Sequence, residues 1–245
     1  MAAIVVAAAG CFREPRQRTP LELLATRGFA WAADSTAHFR FHVEQGSDAH
    51  ARLPVFMARF ERDRRAVLDL LGEPRYPQRI DVFIVDARAD LAALFGRETN
   101  GVAQYRTNVI GIVATPEWSA ATAHEVLHVI AMNLWGVTEL WLNEGLAVYA
   151  AGNWHGSDLH ETAAALMAAD DAIPLRRLIA NFRAQEEARA YPLAGSFVRF
   201  LHERFGDDAL RAIWERGAAG LEEITGADRA ALERAWREAV SAPAG

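Results

Sequence analysis

The chain has a single cysteine, Cys11, no apolar run long enough to cross a bilayer, and no excess of basic charge. One cysteine excludes an intramolecular disulfide and also a metal shell built from thiolates. The 26 Lys and Arg residues are outnumbered by 32 Asp and Glu, and the net charge of -6 argues against DNA or RNA as a partner. The stretch "CFREPRQR" is the only local exception. There is no internal repeat, low-complexity tract or long linker to divide the chain. What is present is 245 residues, 51% of them hydrophobic, enough to bury one substantial core. We read residues 1–20 as leader and tether, and 21–240 as one domain.

The leader "MAAIVVAAAG" is apolar, small in its side chains and too short to span a membrane, which reads as an export signal. With Cys11 directly after it, "AAGC" resembles a bacterial lipobox. That resemblance implies a lipidated Cys11, membrane anchoring and a place in the cell envelope, with "FREPRQRTP" as tether. A secreted product with an ordinary signal peptide, or an unstructured N-terminus, are the other readings.

Beyond the leader, "HFRFHVE" (38–44) alternates as a half-buried strand does, with Phe39, Phe41 and Val43 on one face. Apolar residues at near-helical spacing predict a helix over 48–71, closed by "GEPRYPQ". "RIDVFIVD" (79–86) predicts a strand, "ARADLAALFG" a short helix ending at Gly96, and "TNGVAQY" and "NVIGIVAT" two further strands, the latter at or near the sheet centre. After Pro116 only helical patterns follow, over roughly 117–134, 142–152, 158–169, 174–182, 186–205, 207–217 and 227–239. The expected class is α+β: a small N-terminal sheet with helices, then a mostly helical half.

The helical half opens on "AHEVLHVIAMNLWGVTELWLNEGLAVY" (123–149). His124 and His128 are four residues apart, so their imidazoles leave one face of a helix about one turn apart and can reach one ion. Glu125, one position round from His124, cannot share that direction but can reach a water at the ion, as a base that is not a ligand does. A first-row ion such as zinc needs a third protein ligand and an open position if it is to do chemistry. Glu144, separated from His128 by fifteen residues and in the first turn of the next helix, is the candidate. Two histidines satisfied by core hydrogen bonds are the bland reading, and the downstream glutamate weighs against it. Glu139 and Asn143 are candidates to orient the imidazoles from behind. Trp141 is expected to pack the second motif on the first helix. His155 and His160 are read as exposed loop histidines in preference to a second metal site.

These residues carry a resemblance. "HEVLH" with "LWLNEGLAVY" resembles the gluzincin metallopeptidases and is similar to zinc aminopeptidases of the alanyl type; over about residues 38–210 the order of strands and motifs looks most like the compact peptidase MA-like bacterial proteins. The resemblance implies a thermolysin-like active-site helix, one zinc ion held by His124, His128 and Glu144, Glu125 as general base, and a peptide or protein substrate. "YPLAGSFVRFLHERFG" (191–206) looks like the family's tyrosine helix, which implies that Tyr191 stabilises the transition state; Ala194 stands where the family has glycine. The linker from His128 to Glu144 is shorter than in the aminopeptidases. The motif whose glutamate grips a substrate's free amine is lacking, and in its nearest counterpart, "GVAQY", Gln104 would take that place. The expected function is therefore peptide hydrolysis not tied to aminopeptidase specificity. A zinc-containing envelope protein that binds peptides or serves as a scaffold without turnover is the rival from another class, and hydrolysis of a non-peptide bond a weaker third.

Overall fold

Short segments rich in Val, Ile and Phe pair into one mixed sheet, because β-branched and aromatic side chains pack well on a pleated surface. In the computed structural model, which describes residues 16–114 and 122–241, the strands are β1 (Trp31–Ser35), β2 (Phe39–Glu44), β3 (Ile80–Val85), β4 (Gly101–Gln104) and β5 (Val109–Val113). The leader with Cys11, and the start of the helix expected from residue 117, lie outside the described residues. The spatial order is β1-β2-β3-β5-β4, with β2, β3 and β5 parallel and antiparallel strands at both edges.

β3 is buried along its whole length, as a parallel strand covered on both faces must be. On one face Phe39, Phe41 and Val43 of β2, with Ile80, Val82 and Ile84 of β3, join the main core. There Phe60 of α3 (Leu53–Leu70) meets Phe39 and Phe41 at 5.3 and 5.6 Å between ring centres. On the other face Phe83, Val85 and Val109 pack with Leu91 and Phe95 of α4 (Arg88–Phe95) and Leu23 of α1 (Pro20–Leu24). α4 ends, as its sequence predicts, on Gly96 at φ 71°, a left-handed position that glycine adopts without strain.

The helical half is α5 (Thr122–Leu134), α6 (Leu140–Ala151), α7 (Leu159–Ala168), α8 (Leu175–Ala180), α9 (Glu187–Arg216), α10 (Leu221–Thr225) and α11 (Arg229–Ser241). Gly206, at φ 82° and ψ 179°, kinks α9 where two separate helices were expected. The core runs without a break from β2 to Trp236 and Val240 of α11. Three expectations need correction. The helix expected over 48–71 is two, because Arg52 leaves helical geometry (ψ 5°) just before Pro54, separating α2 (Asp48–Ala51) from α3. β1 and α10 were not foreseen. Residues 16–19, assigned to the tether, are docked: Arg18 donates its backbone N–H to Gln104 Oε1 (2.8 Å) and its guanidinium to the Leu94 carbonyl (2.6 Å). Among the described residues no helix is long and apolar enough to cross a membrane.

Candidate metal centre

α5 begins against α3, where Thr122 donates its hydroxyl to the buried Asp63 carboxylate. Val126, Leu127, Val129 and Ile130 then bury the helix in the core, and this fixes the direction in which His124 and His128 emerge. Their Nε2 atoms lie 3.0 Å apart. Glu144 enters from the second turn of α6, its Oε2 3.3 Å from His124 Nε2 and 3.5 Å from His128 Nε2. Three ligands at zinc distances of about 2.0–2.1 Å in tetrahedral array are separated by about 3.3 Å along each edge. The observed separations of 3.0 to 3.5 Å match, so the three donors fit one first-row ion with a fourth position left over. They form the one group of three such donors among the described residues.

The electrostatics point the same way. Burial works against charge on His128, but the Glu144 carboxylate outweighs it and pushes the pKa up to about 9. Burial would likewise raise Glu144, yet the imidazoles of His128 and His124 draw it well below the usual carboxylate range. Two ring nitrogens and an ionised oxygen thus crowd around one point that calls for positive charge. A proton can supply it, and a divalent cation supplies it better, displacing that proton on binding.

Five features hold this geometry. Asn143 accepts a hydrogen bond from His128 Nδ1–H at 3.1 Å, which turns the Nε2 lone pair toward the ion position. The turn between the two motif helices passes through Gly136 at φ 85° and is clamped by α9: Trp214 Nε1–H donates to the Gly136 carbonyl (2.8 Å), and Thr138 donates to the Trp214 carbonyl (2.6 Å). Gly145, next to Glu144, lets the α9 backbone approach; a Cβ there would come within 2.8 Å of the Ala194 carbonyl oxygen. Trp141 packs on Phe197 of α9 at 6.0 Å between ring centres, which secures α6 against α9. Glu139 does not serve the imidazoles: its Oε2 accepts from Trp141 Nε1–H (2.6 Å) and from the Ala218 N–H (3.2 Å), which ties the start of α6 to the end of α9. Of the two candidates for orienting the histidines, the structure places only Asn143 there. Asn143→Ala should weaken zinc binding by roughly 10- to 100-fold while the protein stays folded, measured by competition with a chromophoric chelator.

Glu125 is buried beside this cluster and coordinates nothing in it. Burial lifts its pKa, against the pull of His124 and His128 and with the help of Glu144. Its carboxylate lies against Gly101 of the edge strand β4, and a Cβ at Gly101 would collide with Oε1. Gly101→Ala should therefore displace the carboxylate and slow any reaction that depends on it, with zinc content unchanged by elemental analysis. Sequence reasoning did not single out Gly101 or Gly145; a glycine inside a strand or a helix was the available signal.

Gln104 requires a correction. β4 alternates, so Gly101 and Ala103 face α5 and the main core, whereas Val102 and Gln104 face the opposite side of the sheet. There the Gln104 amide oxygen accepts from the Arg18 backbone. It does not stand where a substrate amine would be gripped.

Tyr191, in the first turns of α9, is half-buried between Phe182 (5.1 Å) and Trp154 (5.9 Å). Burial, Glu144, Glu187 and Glu125 together raise its pKa, so the hydroxyl keeps its proton close to the centre. His155 stacks edge-on with Trp154. His160 lies in α7 and not in a loop, with Nδ1 2.8 Å from Ser196 Oγ and Nε2 3.4 Å from Glu203.

No curated protein matches the chain. Among solved structures it is similar to an M1 zinc metallopeptidase from Deinococcus radiodurans, at 20% identity and TM-score 0.53 over 88% of this chain and 52% of that one. A variant of a two-domain M1 zinc metallopeptidase bound to L-arginine is similar at 19% identity and TM-score 0.51, over 85% and 51%. The chain thus spans about half the length of the structures it matches, and at such identities the likeness speaks for the fold. The profile of the Peptidase MA superfamily matches residues 67–242, which take in β3, both motif helices and Tyr191. With its two histidines and glutamate gathered from neighbouring helices beside a mixed sheet, the chain belongs to the Peptidase MA superfamily.

Proposed function

We propose that this protein hydrolyses peptide bonds with one zinc ion held by His124, His128 and Glu144. The observation that carries the reading is a complete set of three donors within 4.8 Å of one another, with a buried carboxylate, Glu125, beside it and outside the set. A zinc ion there supplies Lewis acidity, which lowers the pKa of water and polarises a carbonyl. Glu125 takes the proton of the attacking water and returns it to the leaving amine. A carboxyl group whose pKa burial raises holds a proton more readily than a free carboxylate, which suits it to both halves of that transfer. The Tyr191 hydroxyl, kept protonated, donates to the developing oxyanion. Tyr191→Phe should lower kcat by roughly 10²- to 10³-fold with zinc retained. Export with lipid anchoring at Cys11 belongs to the same proposal and rests on the leader sequence alone.

The test is incubation with a mixed peptide library, with and without chelator, and mass spectrometry of the products. Chelator-sensitive cleavage is the expected result. Metal-dependent retention of peptides without products would overturn it in favour of the rival, a peptide-binding or scaffold protein.

A further inference from the structure

A cavity of about 330 Å³ lies between the start of α6 and the segment from α8 to Ala184, lined by Leu140, Trp141, Ile179, Phe182 and Arg183, with Glu139 at its wall. Leu140 lies one helical turn, about 6 Å, before Glu144 on α6, so the cavity opens at the start of the helix that carries Glu144. Phe182 connects it to the other side of the centre by its contact with Tyr191. An extended peptide advances about 3.4 Å per residue, so a substrate cut at the metal centre can place a group one or two residues from the scissile bond in this cavity.

The charges in the cavity are unequally committed. Glu139 accepts two N–H groups, from Trp141 and Ala218. Arg183 has no hydrogen-bond or ion-pair partner among the described residues; of the two acids between it and Tyr191, Glu186 pairs with Arg189 and Glu187 forms no ion pair with Arg183. A guanidinium presents a planar fork of donors that matches a carboxylate.

We propose that Arg183 determines specificity by binding a carboxylate of the substrate in this cavity, next to the scissile bond. The proposal rests on the peptidase reading above and deepens it. The carboxylate is either the substrate's own C-terminus or an Asp or Glu side chain, which share the chemistry that Arg183 recognises. With Gln104 turned to the far side of the sheet, the described residues offer this cation for the substrate where the aminopeptidase pattern has an acid for an amine.

The experiment uses one peptide sequence in four forms, with Asp or Asn beside the cut and a free or amidated C-terminus. Hydrolysis by the zinc-loaded protein gives kcat/KM, and fluorescence anisotropy with zinc-loaded Glu125→Gln gives binding. One of the two carboxylates should favour the peptide by roughly 10- to 100-fold over its neutral counterpart, and which one does so identifies the source. Arg183→Met should bring that ratio to about one, and Arg183→Glu should invert it. Arg183 is exposed, so neither change threatens the fold. A ratio near one in the parent protein, or one unchanged in Arg183→Met, overturns the proposal. Hydrolysis without discrimination removes the carboxylate pocket and leaves the peptidase standing, whereas discrimination in binding without hydrolysis does the reverse.

Discussion

Replacing Glu125 by Gln should leave zinc bound at the parent stoichiometry and lower kcat by roughly 10²- to 10⁴-fold, the range in which positioned proton transfer contributes to catalysis. The amide keeps the size of the side chain and its place against Gly101, so the packing of α5 on β4 is preserved. It cannot accept a proton. Single-turnover kinetics with zinc quantified in the same samples measures both quantities, and parent-rate cleavage by the variant would remove Glu125 from the mechanism.

Glu144→Ala should act on the other quantity, zinc itself. Structural sites of four ligands bind zinc with about 10–16 kcal/mol, so one ligand in such a shell is worth about 3–4 kcal/mol. The expected loss is roughly 10²- to 10³-fold in affinity, with activity restored in part by excess zinc. His124 and His128 stay on α5, so residual two-ligand binding should survive. The change also removes the carboxylate that holds the His128 pKa up at about 9. In the metal-free variant His128 should therefore titrate at lower pH than in the metal-free parent, which NMR of the imidazole protons can follow. A variant that binds zinc as tightly as the parent would exclude Glu144 from the site.

The pairing of these two helices was legible in the sequence for a local reason. An α-helix repeats every 3.6 residues, so His124 and His128 had to share a face wherever α5 packed. The turn residues around Gly136 placed the next helix close by. Glu144 could then be singled out, and the structure brings it within 3.5 Å of both rings. The strands over 39–44 and 80–85 were legible from period-two burial and from a continuous apolar run. β1 was not, because "WAADS" has little strand character and exists through its pairing with β2, Trp31 opposite Glu44.

Gln104 shows where local reasoning stopped. Strand periodicity groups Gly101 with Ala103 and Val102 with Gln104, but it does not say which pair faces α5. Glu139 and Asn143 differ by one helical turn, and either carries an oxygen that could accept from an imidazole. The choice fell to the docking of α6 on α9, which gives Glu139 to Trp141 and Ala218 and leaves Asn143 for His128.

By itself, then, the sequence determined the donor set, the helical face that bears two of its members, the turn that returns the third, and the α+β order of elements. All of these follow from hydrogen-bond periodicity and turn chemistry acting over a few residues. Only the tertiary structure decided which side of the edge strand meets Glu125, which side chain steadies His128, and that Arg183 lines a cavity at the start of α6. Those outcomes depend on how buried surfaces far apart in the chain fit together, and packing at that range leaves no periodic mark in the residues that take part.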